Sequence, residues 1–303
     1  MKVYIITSAK FEECYIEEWV QYHLNIGFDK IIINDNNPKD YPYNPKDILK
    51  KYIDGGQVIV ERYYDIYEHN KDPEDEFPEI YTWLYNKYKN EFDWCAKLDI
   101  DEYLEIQETN NDIKKFLSQK KFKNVLTICV PLIPFEVKSK YCEKYTRLKF
   151  DRDRFQLYNF NEYIEIWRFK SIIKKDPNVS VIGHHLPCFY NYNINKCYAL
   201  PDANGFFSTF LFDINNNLSN SSLVLKQQKK YFYYLANNIC KINHYCLKSH
   251  EEFLIKILKY EGNAKGNLYN EEWNIHYKYS KDYFNNPRDL YKLYFIDNIN
   301  NIK

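Results

Sequence analysis

Apolar runs of strand length recur along the first 131 residues, at Val3–Thr7, Lys30–Asp35, Val58–Glu61, around Leu98 and at Val125–Pro131. Between the first two, Tyr15, Ile16, Trp19, His23 and Ile26 recur at helical spacing, with Glu12, Glu13, Glu17 and Glu18 enriching the first turns. Gly27 follows where a C′ residue would close that helix. Trp19, Tyr22 and His23 are expected to pack it onto the sheet. Further helices are expected over Asp47–Tyr52, stopped by Gly55-Gly56, from about Pro78 to Lys89, and over Asp112–Leu117. Strand and helix in alternation predict an α/β fold: a doubly wound, mostly parallel sheet with right-handed crossovers and helices on both faces.

The stretch Trp94 to Leu104 carries the densest chemistry. An apolar run meets three carboxylates, Asp99, Asp101 and Glu102. On an extended segment Asp99 and Asp101 would point to one side. Like charges that close either raise each other's pKa or bind a hard divalent ion such as Mg²⁺ or Mn²⁺. A solvated acidic turn is the plainer alternative. Asp35 ends an earlier apolar run, and the carboxyl edge of a parallel sheet is where such folds bind ligands. With seven glycines the chain has no glycine-rich dinucleotide fingerprint and no Walker loop, so a bound diphosphate must be held by metal and side chains.

A second signal lies at Ile242 to Lys256. Ser249 with Glu252 forms a capping box ahead of an apolar helical face. The helix start would favour an anion, Lys248 adds positive charge beside it, and His244 offers a nitrogen to a metal. An ordinary capped helix is the alternative. The adjacent His184 and His185 cannot both face one metal from a strand; one could contact a sugar, and a structural role is as compatible.

Net charge is zero and the pI near 7.0, which gives no electrostatic case for nucleic acid or an anionic membrane surface. Eight cysteines without a Cys-x-x-Cys pair fit reduced, buried thiols. No secretory signal and no bilayer-length apolar segment is found, so a cytoplasmic protein, at most peripheral to a membrane, is expected. The Tyr-, Asn-, Lys- and Ile-rich composition suggests an AT-rich genome. The organisation expected, with the roles of the first two parts implied by the family resemblance described next, is a nucleotide-sugar-binding half over 1–105, an acceptor-side half over 106–260, and a C-terminal segment over 261–303 that suits a packing arm, an acceptor-side element or a homodimer contact.

Lys10-Phe-Glu12, Glu18-Trp19…Tyr22-His23 and Asp35-Asn36 resemble the opening of glycosyltransferase family 92 and its bacterial relatives in the family 2 group. The likeness continues through Trp94…Asp99-Ile-Asp101-Glu102-Tyr103, Arg154-Phe155, Lys170-Ser171-Ile172, His185-x-Pro187 and His244-Tyr245…Lys248-Ser249…Glu252-Phe253, over roughly residues 3 to 260. Phe11 stands where the family has asparagine, and Tyr103 where phenylalanine is usual.

The resemblance implies a GT-A fold, a nucleotide-sugar donor, usually UDP-linked, and a Mn²⁺ or Mg²⁺ ion bridging donor diphosphate and acidic motif. It implies Glu12 and Asp35 on the nucleoside, Asp99 on ribose or metal, Asp101 and His244 on metal, and Lys248 on phosphate. Thr7 and Ser249 complete the expected nucleotide-binding set. Galactose is favoured through the family, with glucose and N-acetylhexosamines close behind. An inverting reaction onto a glycan, lipid-linked or protein-linked acceptor needs a carboxylate base; Asp153 is the candidate, with Glu136 and Asp202 behind it, and a surface salt bridge to Arg152 or Arg154 is the plainer role for Asp153. A metal-dependent nucleotidyltransferase and a non-catalytic carbohydrate-binding protein are the alternatives.

Overall fold

The computed structural model describes residues 1–37, 43–63, 73–137, 155–157, 169–183, 187–189, 198–199 and 236–247. In chain order these form β1 (Val3–Ala9), α1 (Ile16–Asn25), β2 (Lys30–Asp35), α2 (Pro45–Ile48), α3 (Lys50–Asp54), β3 (Val58–Glu61), α4 (Pro73–Tyr88), β4 (Trp94–Lys97) and β5 (Glu102–Glu105). They continue with α5 (Ile113–Leu117), β6 (Thr127–Val137), β7 (Phe155–Leu157), β8 (Phe169–Lys174), β9 (Val179–Ile182), β10 (Pro187–Phe189), β11 (Tyr198–Ala199) and β12 (Lys241–Leu247).

The main sheet runs β3-β2-β1-β4-β8-β6-β12-β5. Its first four strands are parallel, as expected of strand–helix alternation. Beyond β4 the sheet is mixed: β8 is antiparallel to both β4 and β6, β12 is parallel to β6, and β5 is antiparallel to β12. The alternation of β1 explains the layering. Val3 and Ile5 join the core under α1, α3 and α5, while Tyr4 and Ile6 join the core under α4. Burying side chains such as Trp19, Ile16 and Leu84 contributes about 1.5–3 kcal/mol each, enough to hold both helical layers on the sheet.

Local chemistry sets several boundaries. Gly27, at φ 103°, closes α1 in a Schellman motif: its N–H donates to the Leu24 carbonyl (3.1 Å) and that of Phe28 to the His23 carbonyl (3.2 Å). The short helix expected over Asp47–Tyr52 is two helices parted at Leu49, because the Asn44 side chain accepts from the Lys46 N–H (2.9 Å) and starts α2 earlier. α4 begins at Pro73 rather than Pro78, which sits inside it.

β6 extends past the expected Pro131 and changes partners on the way. Thr127–Pro131 pairs with β8, then Leu132 onward pairs with β12. Pro131, the last residue of β6 paired with β8, has no N–H to give that ladder, and the pairing with β8 stops there. This places β12, and with it His244, beside β5. Among the described residues no helix is long and apolar enough to cross a membrane. The C-terminal segment 261–303 lies outside the described residues.

Candidate active site

The acidic residues between β4 and β5 form a turn, and the side-by-side geometry expected of an extended segment does not occur. The Glu102 N–H donates to the Asp99 carbonyl (3.0 Å), and the Asp99 N–H donates to Glu102 Oε2 (2.9 Å). Ile100 is buried in the middle of the turn. Asp99 and Asp101 therefore meet different surroundings although they are two residues apart.

Asp99 receives two ammonium groups, Lys97 Nζ on Oδ1 at 2.8 Å and Lys170 Nζ on Oδ2 at 2.5 Å, and the Tyr81 hydroxyl at 3.3 Å. Lys170 also reaches Glu102 Oε1 at 2.9 Å. The Lys97, Lys170 and Glu102 side chains are only 2, 3 and 1 % exposed, so this cluster sits beneath the rim of the site. Burial alone would raise the Asp99 pKa; Lys170 and Lys97 outweigh it and hold the carboxyl far below its usual range. Burial, with Asp99 alongside, pushes Glu102 up, against the pull of Lys170. Burial pulls Lys97 down to about 8, opposed by Asp99 and helped by Lys170. For Lys170, burial is overcome by Asp99 and Glu102 and the pKa is raised.

Asp101 faces β12 instead. His244 lies opposite Glu102 in the antiparallel register, and its Nε2 stands 3.5 Å from Asp101 Oδ1. The Tyr245 N–H donates to the Asp101 carbonyl (2.9 Å), tying the turn to β12. Both side chains keep some solvent access, 14 % for Asp101 and 20 % for His244.

Helix α1 grips the strand that follows the turn. Trp19 Nε1 donates to the Glu102 carbonyl (2.8 Å) and the Tyr22 hydroxyl to the Leu104 carbonyl (2.7 Å). His23 Nδ1 meets the Trp19 carbonyl (2.9 Å) and its Nε2 the Leu104 N–H (3.4 Å), an arrangement that suits the tautomer protonated at Nδ1. The Tyr103 hydroxyl donates to Glu18. The expected packing role of Trp19, Tyr22 and His23 is thus a set of bonds to the backbone on which the acidic turn rests.

At the neighbouring strand ends, Asp35 closes β2. Its Oδ1 accepts from the Asn37 N–H (3.1 Å) and Nδ2 (2.8 Å), and Oδ2 lies 3.4 Å from Arg62 Nη1. Asn37 Oδ1 in turn accepts from the Phe11 N–H (2.7 Å), which joins the loops after β1 and β2. Phe11 adopts φ 56°, a conformation that asparagine takes more readily than a bulky aromatic. A small cleft beside this junction is lined by Glu12, Asn37, Tyr43 and Pro45, among others.

The family model described as Glycosyltransferase family 92 matches residues 7–234. The chain belongs to glycosyltransferase family 92. No curated protein matches it. Solved structures similar to it include "Crystal structure of S. aureus TarS", at 16 % identity and a TM-score of 0.30, covering 48 % of this chain and 24 % of that one. Another is titled "crystal structure of a glycosyltransferase involved in the glycosylation of the major capsid of PBCV-1", at 12 % identity and a TM-score of 0.24, covering 58 % of this chain and 61 % of that one. The chain thus spans less than two thirds of either.

Within this family 92 chain, Asp35, Asp99 and the Glu12 loop stand at carboxyl ends of the parallel strands β2, β4 and β1, and Asp101 and His244 meet across β5 and β12. Thr7 lies on β1 beside Ile33, fully buried, with no hydrogen-bond partner for its hydroxyl among the described residues. Glu136 lies on β6 in register with Gln156 and Leu247. Asp153, Asp202, His184, His185, Lys248 and Ser249 fall outside the described residues. Sequence reasoning gave no site role to Lys97, and it named Lys170 only as part of the family likeness. Their signal was a lysine inside each of two otherwise buried strands, Trp94–Lys97 and Phe169–Lys174.

Among the described residues no group of three His, Cys, Asp or Glu side chains is arranged to hold a metal ion. Asp101 and His244 fit one as a pair: a carboxylate and an imidazole on a divalent ion, each bonded at about 2.1 Å, stand about 3.0–3.5 Å apart, and these two atoms are separated by 3.5 Å. Small divalent ions commonly take one or two protein ligands and complete their shell with phosphate and water.

Proposed function

We propose that the protein is a divalent-cation-dependent, inverting glycosyltransferase that moves a hexose of galactose or glucose type from a UDP-sugar to a glycan or glycoconjugate acceptor. The observation that carries this reading is Asp101, in the turn that follows the carboxyl end of the parallel strand β4, facing His244 on β12, inside a chain of glycosyltransferase family 92. Asp101 and His244 would hold Mn²⁺ or Mg²⁺, and Asp99 would lie on the ribose side. Glu12 and Asp35 belong to the nucleoside side, with Thr7 beneath them. The bound ion supplies positive charge against the charge that grows on the departing UDP.

The chain's own work is orientation and proton transfer. Trp19 and Tyr22 fix the strand below the acidic turn, and the turn fixes Asp101. The acceptor hydroxyl forms the new bond to the anomeric carbon from the face opposite the leaving group. The anomeric C–O bond to phosphate breaks with its electron pair going to UDP, and the hydroxyl proton passes to a carboxylate, for which Asp153 is the candidate. Lys248 and Ser249, with the helix that the sequence leads one to expect there, would add positive charge on the diphosphate.

The test is incubation of the protein with UDP-galactose and UDP-glucose, with and without Mn²⁺, reading free UDP, pyrophosphate and thermal stability. UDP release that requires the ion and is lost in Asp101→Asn supports the reading. Pyrophosphate release would turn it to nucleotidyl transfer. Sugar binding with no product and no response to the ion would turn it to carbohydrate recognition.

A further inference from the structure

The loops that follow β1 and β2 meet at a buried side chain that has no part in the reaction as proposed. Asn37 is 5 % exposed, and its backbone and side chain are engaged at every polar group. Its N–H and Nδ2 donate to Asp35 Oδ1 (3.1 and 2.8 Å), its Oδ1 accepts from the Phe11 N–H (2.7 Å), and its carbonyl accepts from Arg62 Nη2 (2.7 Å). We propose that Asn37 is a positioning residue for the nucleoside side of the donor site: its amide locks Phe11 in a left-handed turn and so fixes where Glu12 stands relative to Asp35. The inference rests on the reading that puts Glu12 and Asp35 on the nucleoside, and it adds the residue that aligns them.

Three observations carry it. The amide accepts from a backbone N–H on one side and donates to a carboxylate on the other, a combination that an ionised aspartate of the same shape could not supply. Phe11, at φ 56°, is a bulky, buried aromatic in a region that such residues rarely occupy, and backbone of that kind persists only where its surroundings over-determine it. Its bond to Asn37, across 26 residues of chain, is one such constraint. Phe11 is also the joint between two fixed elements. β1 ends at Ala9, in register with Asp35, while the Glu12 carbonyl accepts from the Tyr15 and Ile16 N–H groups (3.0 and 2.9 Å) where α1 begins. The turn at Phe11 therefore sets the direction in which Glu12 leaves the sheet, and Glu12 and Asn37 line the same cleft.

Binding of UDP to the full chain in the presence of Mn²⁺, read by isothermal titration calorimetry, tests the proposal, with circular dichroism at the same temperature showing that each variant is folded. Asn37→Ala should weaken UDP binding by about tenfold or more. Asn37→Ser removes the same bond to Phe11 and leaves a small polar side chain in place, so it decides where Asn37→Ala does not fold. In a Phe11→Gly background the left-handed turn no longer depends on that bond, and adding either Asn37 variant should cost about threefold or less. A merely structural asparagine would lower stability by the same amount in both backgrounds and leave the folded protein's affinity for UDP unchanged. Equal fold-losses of affinity in the two backgrounds would overturn the proposal. If the unchanged chain binds UDP and the folded Asn37 variants bind it equally well, this inference falls and the transferase reading stands. If the unchanged chain does not bind UDP, both fall.

Discussion

Two strand ends in this sheet carry an aspartate beside a basic side chain, and they are built in opposite ways. Asp35 at the end of β2 meets Arg62 at 3.4 Å, and the arginine is 34 % exposed. Its main partner is the Asn37 amide two residues on, a local turn that orders the loop. Asp99 after β4 is itself 37 % exposed, against 15 % for Asp35, yet it meets two lysines at 2.8 and 2.5 Å, both almost fully buried and one drawn from β8, so the contrast lies in the basic partners. In water an ion pair adds little, because solvent screens it and the side chains lose freedom to hold it. Away from water neither partner can be removed without leaving a charge stranded. The same sequence signal, an acid at a strand end, thus marks a pliable loop in one place and a fixed platform in the other.

The sharpest way to break the comparison is to empty the clamp. Lys170→Met leaves Asp99 and Glu102 facing each other without the bridging ammonium, and should destabilise the fold by about 3–5 kcal/mol, read from urea unfolding. Lys170→Arg keeps the charge and should lie between that variant and the unchanged protein.

The clamp should also show itself in pH. Lys97 titrates at about 8 in the folded protein against an ordinary value of 10.5. Between those values the unfolded chain binds more protons at this position than the folded one, so stability should rise with pH across that window. Below about pH 8 both states are protonated and the contribution is flat. Lys170, raised above its ordinary value, keeps its contribution through the window and loses it only at higher pH. Lys97→Met should therefore flatten the rise, which urea midpoints measured from pH 7 to 10 would show; an unchanged slope would mean that Lys97 is not the source.

Trp19 probes the platform from the other side. Trp19→Phe keeps most of the buried ring but leaves the Glu102 carbonyl without its indole donor. An expected loss of about 1–3 kcal/mol follows from a buried acceptor left unsatisfied. If the platform sets Asp101, kcat should fall by more than stability at the assay temperature explains.

The difference between these regions also accounts for what could be read from the residues alone. The strands β1 to β4, helix α1 and its Gly27 stop are local patterns, and the periodicities that specify them run over neighbouring positions. The grip of Trp19, Tyr22 and His23 was visible as a helical face, though not its target. The clamp was not visible, because Lys170 and Asp99 are joined by the antiparallel entry of β8 between β4 and β6, a long-range pairing that no local period encodes. The expectation that Asp99 and Asp101 share a side assumed an extended segment. The reciprocal bonds between Asp99 and Glu102 curl it into a turn and separate the two carboxylates. The pairing of Asp101 with His244 was expected through the family resemblance, and the handover of β6 at Leu132 is the physical reason the two strands meet.

Arg62→Ala completes the comparison from its weaker side. The ion pair it removes is long and partly solvated, so its direct loss should be below about 1 kcal/mol. Arg62 also donates from Nη2 to the Asn37 carbonyl at 2.7 Å, and Asn37 holds the Phe11 N–H at the head of the loop that carries Glu12. A near-neutral change in urea midpoint together with a raised KM for the donor, and kcat unchanged, would mean that Arg62 orders the nucleoside side without supporting the fold. A loss as large as that of Lys170→Met would instead mean that the burial of the basic partner is a poor guide to these two pairs, and the contrast drawn between them would not hold.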